Sequence, residues 1–417
     1  MSNDEYNGLA PGVFEPLPDE DKAIAFEPEE YKRRLTRVRE EMAARKIDMM
    51  FVTAPDHVCY LHGFLASWYK AHSPMRYPQM YGTAVHVDHD RLIHFDNPSE
   101  LPVLAKSSVC EDIRFLPSRE AAPNLAFIVD QLAKEKWLNG TVAMEKWSYV
   151  PNPAISAMFE GAFLSQGCRV VDGSEIIRKV RLVKSDAEIA CIEKAVEICD
   201  IGHRKLKDTI QPGITELELF GEVTNAMMAA GGEFPALIPI FNALPVRDGR
   251  AVSSGHAMAG RKVIKAGEVL KADLSGVYNR YHGNVLRGYF VGDPPDEMVK
   301  RHKLAAGVFD VIRTDIKAGM TVAEVNTRLK QYYEDVGLWG QPGWALGYEL
   351  GLSLPPDWVG EFYFNVADEK YLDRVFHENM VTNFESLFNT WLIDTCVYEK
   401  DGTRILSTTP LEIIAAG

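Results

Sequence analysis

The sequence predicts an α+β fold in two domains, and three observations support this. The chain has 417 residues, which is more than one hydrophobic core usually holds. Residues 266–293 form two mostly apolar runs around a short polar turn, which predicts a β-hairpin. Ser185 and Thr321 are each followed three residues later by glutamate, the pattern that begins a helix. Helices and antiparallel strands mixed in this way are typical of α+β proteins.

The first part of the chain is predicted to contain an arm and a small domain. Residues 1–29 are acidic and contain prolines, so we expect an arm with little regular structure. Residues 30–177 are predicted to form an αβ domain. It begins with a helix over residues 29–46, which carry one apolar stripe, and continues with a buried strand over residues 48–53.

Residues 178–417 are predicted to form the second domain. Strand hairpins alternate there with helices that have recognisable starts. The predicted helices cover residues 186–209, 295–317 and 321–336.

Composition agrees with a cytosolic enzyme, and the negative charge makes a cationic or zwitterionic small substrate easier to accept. Apolar residues make up 46% and charged residues 25%, and the net charge of −14 argues against nucleic acid and anionic membranes as partners. The six cysteines form no CxxC pair and no apolar run is long enough to cross a membrane. We therefore predict reduced thiols and a cytoplasmic location.

An aspartate inside the first strand of the hairpin is the strongest functional signal. Asp273 lies in a mostly apolar run, where a carboxylate is costly unless it has a partner or a function. Asn284 occupies the matching point of the second strand. This layout resembles the pita-bread family, which includes methionine aminopeptidase, prolidase, aminopeptidase P, creatinase and ectoine hydrolase. The resemblance implies a creatinase-like N-terminal domain followed by a C-terminal pita-bread domain.

The peptidases of this family hold two metal ions with two aspartates, a histidine and two glutamates. By resemblance, these positions fall on Asp273, Asn284, Tyr348, Glu385 and Ile393. Only the first and the fourth keep a carboxylate, and a shift of one residue at the last position would offer Asp394 instead. Hard divalent ions need more oxygen ligands, and borderline metals usually need histidine. The resemblance therefore implies that the protein binds no metal and requires no cofactor.

Other segments resemble the ectoine hydrolase and creatinase members of the family most. The similarity extends from about Glu30 onward and includes residues 279–282, 291–295, 347–348 and 231–236. It implies a metal-independent hydrolase that cleaves a C–N bond in a small cationic or zwitterionic compound, ectoine-like or creatine-like.

The resemblance and the residue chemistry together name three catalytic candidates: His256, Asp273 and Glu385. In the family, a histidine at the position of His256 faces the reaction site, and imidazole is the side chain that most often transfers protons near neutral pH. Two carboxylates without a metal repel each other, so the pKa of one should rise unless a cationic substrate lies between them. Asp273 is then either the nucleophile or the anchor for substrate charge.

Five further residues are substrate-binding candidates: Asn284, Tyr348, Trp358, Trp68 and His282. The phenol of Tyr348 can stabilise an oxyanion, and tryptophan can contact a cation, although ordinary packing is the alternative for each. Trp68 belongs to an aromatic-rich segment over residues 64–81. In creatinase the equivalent region reaches the neighbouring subunit's site, so the resemblance implies a homodimer.

Three other functions stay open at the level of sequence. The first is a lyase acting on a betaine or sulfonium compound such as dimethylsulfoniopropionate, because lyases of this fold exist. The second is a metallopeptidase of the prolidase type. The third is a non-catalytic binding protein, against which the retention of His256, Asp273 and Glu385 together argues.

Overall fold

The computed structural model describes residues 18, 21–69, 78, 80–252, 255–356 and 360–417. Most of the predicted arm, residues 1–29, therefore lies outside the described residues. The chain divides into two compact units between Val180 and Arg181, compared with a predicted boundary at residue 177. In the described part of the chain, no helix is both long and apolar enough to cross a membrane.

The first unit is built on a six-stranded sheet with the order β4-β3-β2-β1-β5-β6. Its strands are β1 Met49–Val52, β2 Gly82–His86, β3 Leu92–Asp96, β4 Asp112–Phe115, β5 Thr141–Met144 and β6 Arg169–Asp172. Its helices are α1 Pro28–Ala44, α2 Pro55–His62, α3 Leu101–Ser107, α4 Ala121–Lys134 and α5 Pro153–Ser165, and α6 Ser174–Leu182 carries the division between the units. Phe51 and Phe159 are in contact in the core, with ring centroids 4.8 Å apart.

The second unit is built on a ten-stranded sheet whose main path runs β12-β11-β13-β14-β10-β9-β7-β8. Its strands are β7 Ile240–Arg247, β8 Arg250–Ala251, β9 Glu268–Tyr278, β10 Tyr281–Val291, β11 Trp344–Tyr348, β12 Tyr363–Asn365, β13 Val381–Leu387, β14 Leu392–Tyr398, β15 Thr403–Ile405 and β16 Ile414–Ala416. Its helices are α7 Asp186–Thr209, α8 Glu216–Ala229, α9 Asp296–Ala306, α10 Val308–Asp315 and α11 Val322–Asp335. This mixture of helices and sheet confirms the predicted α+β class.

The predicted hairpin is formed by β9 and β10. Its turn residues Asn279 and Arg280 have φ values of 49° and 65°, as a two-residue turn with both central residues in the left-handed region requires. The backbone N–H groups of both residues donate to the carboxylate of Glu233, which fixes the turn.

Alternation along the strands separates a helix-covered face from a second face of the sheet. Leu274 and Val285 pack in the apolar cluster that contains Val196 of α7, and the Phe384 ring contacts Phe309 of α10. Because neighbouring residues on a strand point to opposite faces, Asp273, Asn284 and Glu385 lie on the other face.

The helix predictions are mostly confirmed. Both predicted capping boxes are present, at Ser185 before α7 and at Thr321 before α11. The single helix predicted over residues 295–317 is wrong, because the chain forms α9 and α10 on either side of Gly307. A Cβ there would lie 2.1 Å from the Tyr332 hydroxyl oxygen, so close packing requires the glycine. Helix α8 was not predicted, although Thr215 begins it with a third capping box.

A glycine in the hairpin allows helix α7 to lie directly on the sheet. A Cβ at Gly276 would lie 1.9 Å from the Ala195 carbonyl oxygen, whereas a Cβ at the helical Gly221 would meet nothing within 4 Å. We expect Gly276→Ala to lower the free energy of unfolding by about 3 kcal/mol. Gly221→Ala should leave it unchanged or raise it, because alanine favours helices. Equal denaturation midpoints for the two variants would contradict this packing.

Candidate functional site

The strand register brings Asp273 and Glu385 to one face of the sheet. Asp273 of β9 pairs with Leu286 of β10, Leu286 pairs with Ile393 of β14, and Ile393 pairs with Glu385 of β13. Paired residues in neighbouring strands point to the same side, so this row carries a carboxyl group at each end and two aliphatic side chains between them.

A chain of hydrogen bonds connects the two carboxyl groups. The backbone N–H of Tyr348 donates to Asn383 Oδ1 over 2.9 Å. Asn383 Nδ2 therefore points into the site, where it donates to Asn284 Oδ1 over 3.1 Å and to Glu385 Oε1 over 3.3 Å. Asn284 Nδ2 in turn donates to Asp273 Oδ1 over 2.6 Å. The backbone donor thus fixes the orientation of both amides.

Glu385 has two further donors. The indole nitrogen of Trp344 donates to Glu385 Oε2 over 3.0 Å, and the Tyr348 side chain also hydrogen-bonds to this carboxylate. Trp344 is 48% exposed, so one part of the ring holds Glu385 while another part is available to a ligand.

Burial and mutual repulsion favour the protonated carboxyls. Burial, followed by the charge of Glu385, raises the pKa of Asp273 to about 7, although the hydrogen bond from Asn284 opposes this. Burial also raises the pKa of Glu385. The prediction that one carboxyl of the pair should have a raised pKa is thus matched by Asp273. A pKa raised towards neutrality suits a group that exchanges a proton during a reaction.

Lys271 is a site residue that the sequence analysis missed. It precedes Asp273 by two residues and so shares its face of β9. Burial lowers the pKa of this ammonium group, while the charges of Asp273 and Glu385 act in the opposite direction. Its Nζ donates to the Gly255 carbonyl over 3.2 Å. Asn383 and Trp344 were also missed, although the two-residue spacing between Asn383 and Glu385 was a visible signal.

His256 follows Gly255 directly, so the Lys271 hydrogen bond ties its segment to the site. A second tie is the hydrogen bond from the Phe241 N–H to the Ala257 carbonyl, which is 2.9 Å long. The imidazole is exposed, and no hydrogen bond joins it to either carboxyl in the ranges that the structure describes. The structure therefore places His256 at the edge of the site, next to a residue that contacts Lys271.

His282 has a structural environment. Its ring is fully buried, Nε2 accepts from the Ala236 N–H over 2.9 Å, and Nδ1 donates to the Arg280 carbonyl over 3.0 Å. Burial lowers the pKa of this histidine to about 3, so the ring stays neutral. Both nitrogens hold backbone groups, and we therefore interpret His282 as a residue that supports the hairpin rather than one that binds substrate.

The structure tests neither of the two tryptophans predicted to bind substrate. Trp358 lies outside the described residues. Trp68 belongs to the first unit and is 65% exposed, so its reach into a neighbouring subunit's pocket stays a prediction.

The last of the five metal positions is occupied by an aliphatic residue, Ile393. Ile393 is buried beside Leu286, and the adjacent Asp394 points to the opposite face. There its carboxylate accepts a hydrogen bond from Arg287 Nη2 over 2.7 Å, and both side chains are fully buried. A shift of one residue therefore does not bring a carboxylate to this position.

The side chains at the five positions do not fit a pair of metal ions. Asn284 presents its nitrogen, not its oxygen, to Asp273, and Ile393 has no donor atom. The charges of Asp273 and Glu385 also act on a nearby ammonium group, that of Lys271. Among the residues that the structure describes, no group of three or more His, Cys, Asp or Glu side chains could hold a metal. We derive no step through a metal ion.

Comparisons with known proteins agree with this architecture. Residues 34–183 match the creatinase/prolidase N-terminal domain, and residues 190–407 match metallopeptidase family M24. The chain is 26% identical to an ectoine hydrolase from Halomonas elongata over 353 residues, covering 81% of this chain and 84% of that protein. It is 25% identical to a Xaa-Pro dipeptidase from Pyrococcus horikoshii over 285 residues, covering 67% and 77%.

The fold is also that of a solved X-Pro aminopeptidase. The structure of this enzyme from Thermotoga maritima superimposes with a TM-score of 0.73 at 18% identity, covering 91% of this chain and 99% of that one. The predicted creatinase-like domain followed by a pita-bread domain is thereby confirmed. The chain belongs to metallopeptidase family M24 and carries the creatinase/prolidase N-terminal domain.

Proposed function

We propose that the protein is a hydrolase that cleaves a C–N bond in a small cationic or zwitterionic compound, ectoine-like or creatine-like, without a metal ion. One observation carries the proposal. Asn284, which stands where family peptidases have a metal-binding aspartate, donates a hydrogen bond to Asp273, and the nearby Asn383 donates one to Glu385. The two carboxyls are thus held by neutral donors, which leaves them available to a positively charged substrate.

Asp273 is suited to act on the substrate carbon. Its Oδ1 is fixed by Asn284, and Oδ2 has no hydrogen-bond partner in the part of the chain that is described. We assign to Oδ2 the attack on the amidine or amide carbon, or the removal of a proton from the water that attacks it. Overall, water supplies the oxygen to that carbon and a proton to the leaving nitrogen as the C–N bond breaks.

Glu385, Trp344 and Tyr348 are suited to hold the charged group. A carboxylate and the exposed part of an indole ring together favour a delocalised cation such as an amidinium or guanidinium. Tyr348 hydrogen-bonds to Glu385 through its phenol. Because a phenol has a single O–H donor, this hydroxyl can stabilise negative charge on the substrate only after it turns away from Glu385.

The second candidate is a metallopeptidase of the prolidase type. The 25% identity with the Xaa-Pro dipeptidase favours it. Asn284 and Ile393 argue against it, because neither side chain supplies the carboxylate that binds metal at that position in the family peptidases.

A substrate panel distinguishes these candidates. Purified protein is incubated with ectoine, creatine, guanidino acids and Xaa-Pro dipeptides, and NMR follows the products. We expect C–N cleavage of at least one amidine or guanidino compound and none of the dipeptides. Cleavage of Xaa-Pro dipeptides alone would overturn the proposal in favour of the metallopeptidase.

The proposed site is expected to require a second subunit. We predict a homodimer in which Trp68 of one subunit closes the pocket of the other. Trp68→Ala should lower kcat/KM about 10-fold, the effect of one lost cation–π contact. Trp147→Ala removes a ring of the same unit that is 77% exposed and should have no effect. Light scattering at the monomer mass of 46.7 kDa, or equal kinetics for both variants, would contradict this prediction.

A further inference from the structure

Lys271 adds a positive charge to a face that otherwise carries two carboxyl groups. The charges of Asp273 and Glu385 both act on its ammonium group. Even so, no carboxylate oxygen in the described part of the chain lies within 4.0 Å of its Nζ, the limit for an ion pair. Among the described residues, Lys271 therefore lies near the two carboxyl groups but forms no ion pair with either of them.

The ammonium group has unused donors. Its one hydrogen bond among the described residues goes to the Gly255 carbonyl, at 3.2 Å. A lysine ammonium carries three N–H donors, so two remain for a ligand. Lys271 is only partly buried, which leaves these donors within reach of solvent and small molecules.

The surface beside Lys271 is apolar. Lys271 pairs with Gly288 of β10, and a Cβ at that glycine would lie 2.7 Å from the ring of Trp391. Trp391 and Leu387 belong to the apolar cluster on this side of the sheet. On this face, the Lys271 ammonium group therefore lies beside the apolar surface of Trp391. Asp273 and Glu385 lie in the next row of paired residues.

We propose that Lys271 binds the anionic end of a zwitterionic substrate whose cationic end lies between Asp273 and Glu385. This inference rests on the proposed function and narrows its substrate class to zwitterions. Charge-assisted hydrogen bonds from an ammonium to a carboxylate are roughly twice as strong as neutral ones. Residues two apart on a strand are about 7 Å apart. We therefore expect a preference for ligands whose charged groups are about 7 Å apart.

The test compares matched ligands that differ only at the anionic end. Calorimetry measures the binding of 3-guanidinopropionate and 4-guanidinobutyrate, and of the two primary amides in which an uncharged carboxamide replaces the carboxylate. Wild-type protein should bind each acid at least about 10-fold more tightly than its amide, as one charge-assisted hydrogen bond allows. Lys271→Met should abolish this preference, and Lys271→Arg should keep it because the charge is retained.

Controls separate a direct contact from a general loss of charge. Lys300→Met removes the same charge from an exposed position on α9 and should leave the preference unchanged. If Lys271 only balances the carboxyls, Lys271→Met will change acid and amide affinity by the same factor, and the proposal fails. Melting curves show whether each variant is folded.

The outcomes also separate this inference from the proposed function. Equal binding of acids and amides to wild-type protein overturns the inference and leaves the hydrolase proposal standing. Preferred binding of acids without turnover of any compound supports the anchor and overturns the hydrolase. Failure of every guanidino compound to bind wild-type protein overturns the anchor, while turnover of another compound would still support the hydrolase.

Discussion

Asp273→Asn is expected to lower turnover by roughly three orders of magnitude or more, the size seen when a nucleophile or a key electrostatic group is removed. The substitution keeps the shape of the side chain and its hydrogen-bonding reach to Asn284, so the fold should persist. It removes both the charge and the oxygen that we assign to the attack. Steady-state kinetics with a substrate found in the panel, together with melting curves, measure the effect.

The pH profile gives an independent readout of the same group. Because burial and the charge of Glu385 raise the pKa of Asp273 to about 7, the ionised form becomes dominant only above that pH. If the ionised carboxylate attacks, kcat/KM rises with pH and levels off above about 7. A folded Asp273→Asn protein with near-normal turnover, or a wild-type rate that falls over this range, would contradict the assigned role.

His256→Ala should lower turnover by about 10²–10⁴-fold, as is typical for a residue that transfers protons. We expect this effect because His256 directly follows Gly255, whose carbonyl accepts a hydrogen bond from Lys271 at the site. His377 is an exposed histidine of the same unit and serves as the matched control. Its replacement by alanine should leave the rate unchanged. Equal rates for the two variants would remove His256 from the mechanism.

The sequence was sufficient to predict the hairpin and the two carboxyl groups. Asp273 is conspicuous because a carboxylate in an apolar strand requires an explanation, and Glu385 was found through the family pattern. The existence of the hairpin and the starts of α7 and α11 follow from local rules, which is why those elements were predicted well.

Some contacts of the site and the fold join strands or helices that are distant in sequence, so local patterns did not predict them. Asn383 connects the carboxyls because β13, β14, β10 and β9 are neighbours in that order; its two-residue spacing from Glu385 indicates a shared strand face but not this strand order. Lys271 was missed although its two-residue spacing from Asp273 places both side chains on one face of the predicted strand. The close approach of Gly307 to the Tyr332 side chain also depends on a different helix, α11, and is not visible in the local sequence.

We propose that this member of family M24 hydrolyses its substrate with hydrogen-bonded carboxyls instead of metal ions. The most direct measurement determines the metal content and the turnover of one and the same sample, before and after dialysis against a strong chelator. We predict substoichiometric Mn, Fe, Co and Zn and an unchanged rate. One or two metal equivalents for each chain, with activity that disappears on chelation and returns when the metal is added back, would contradict the account.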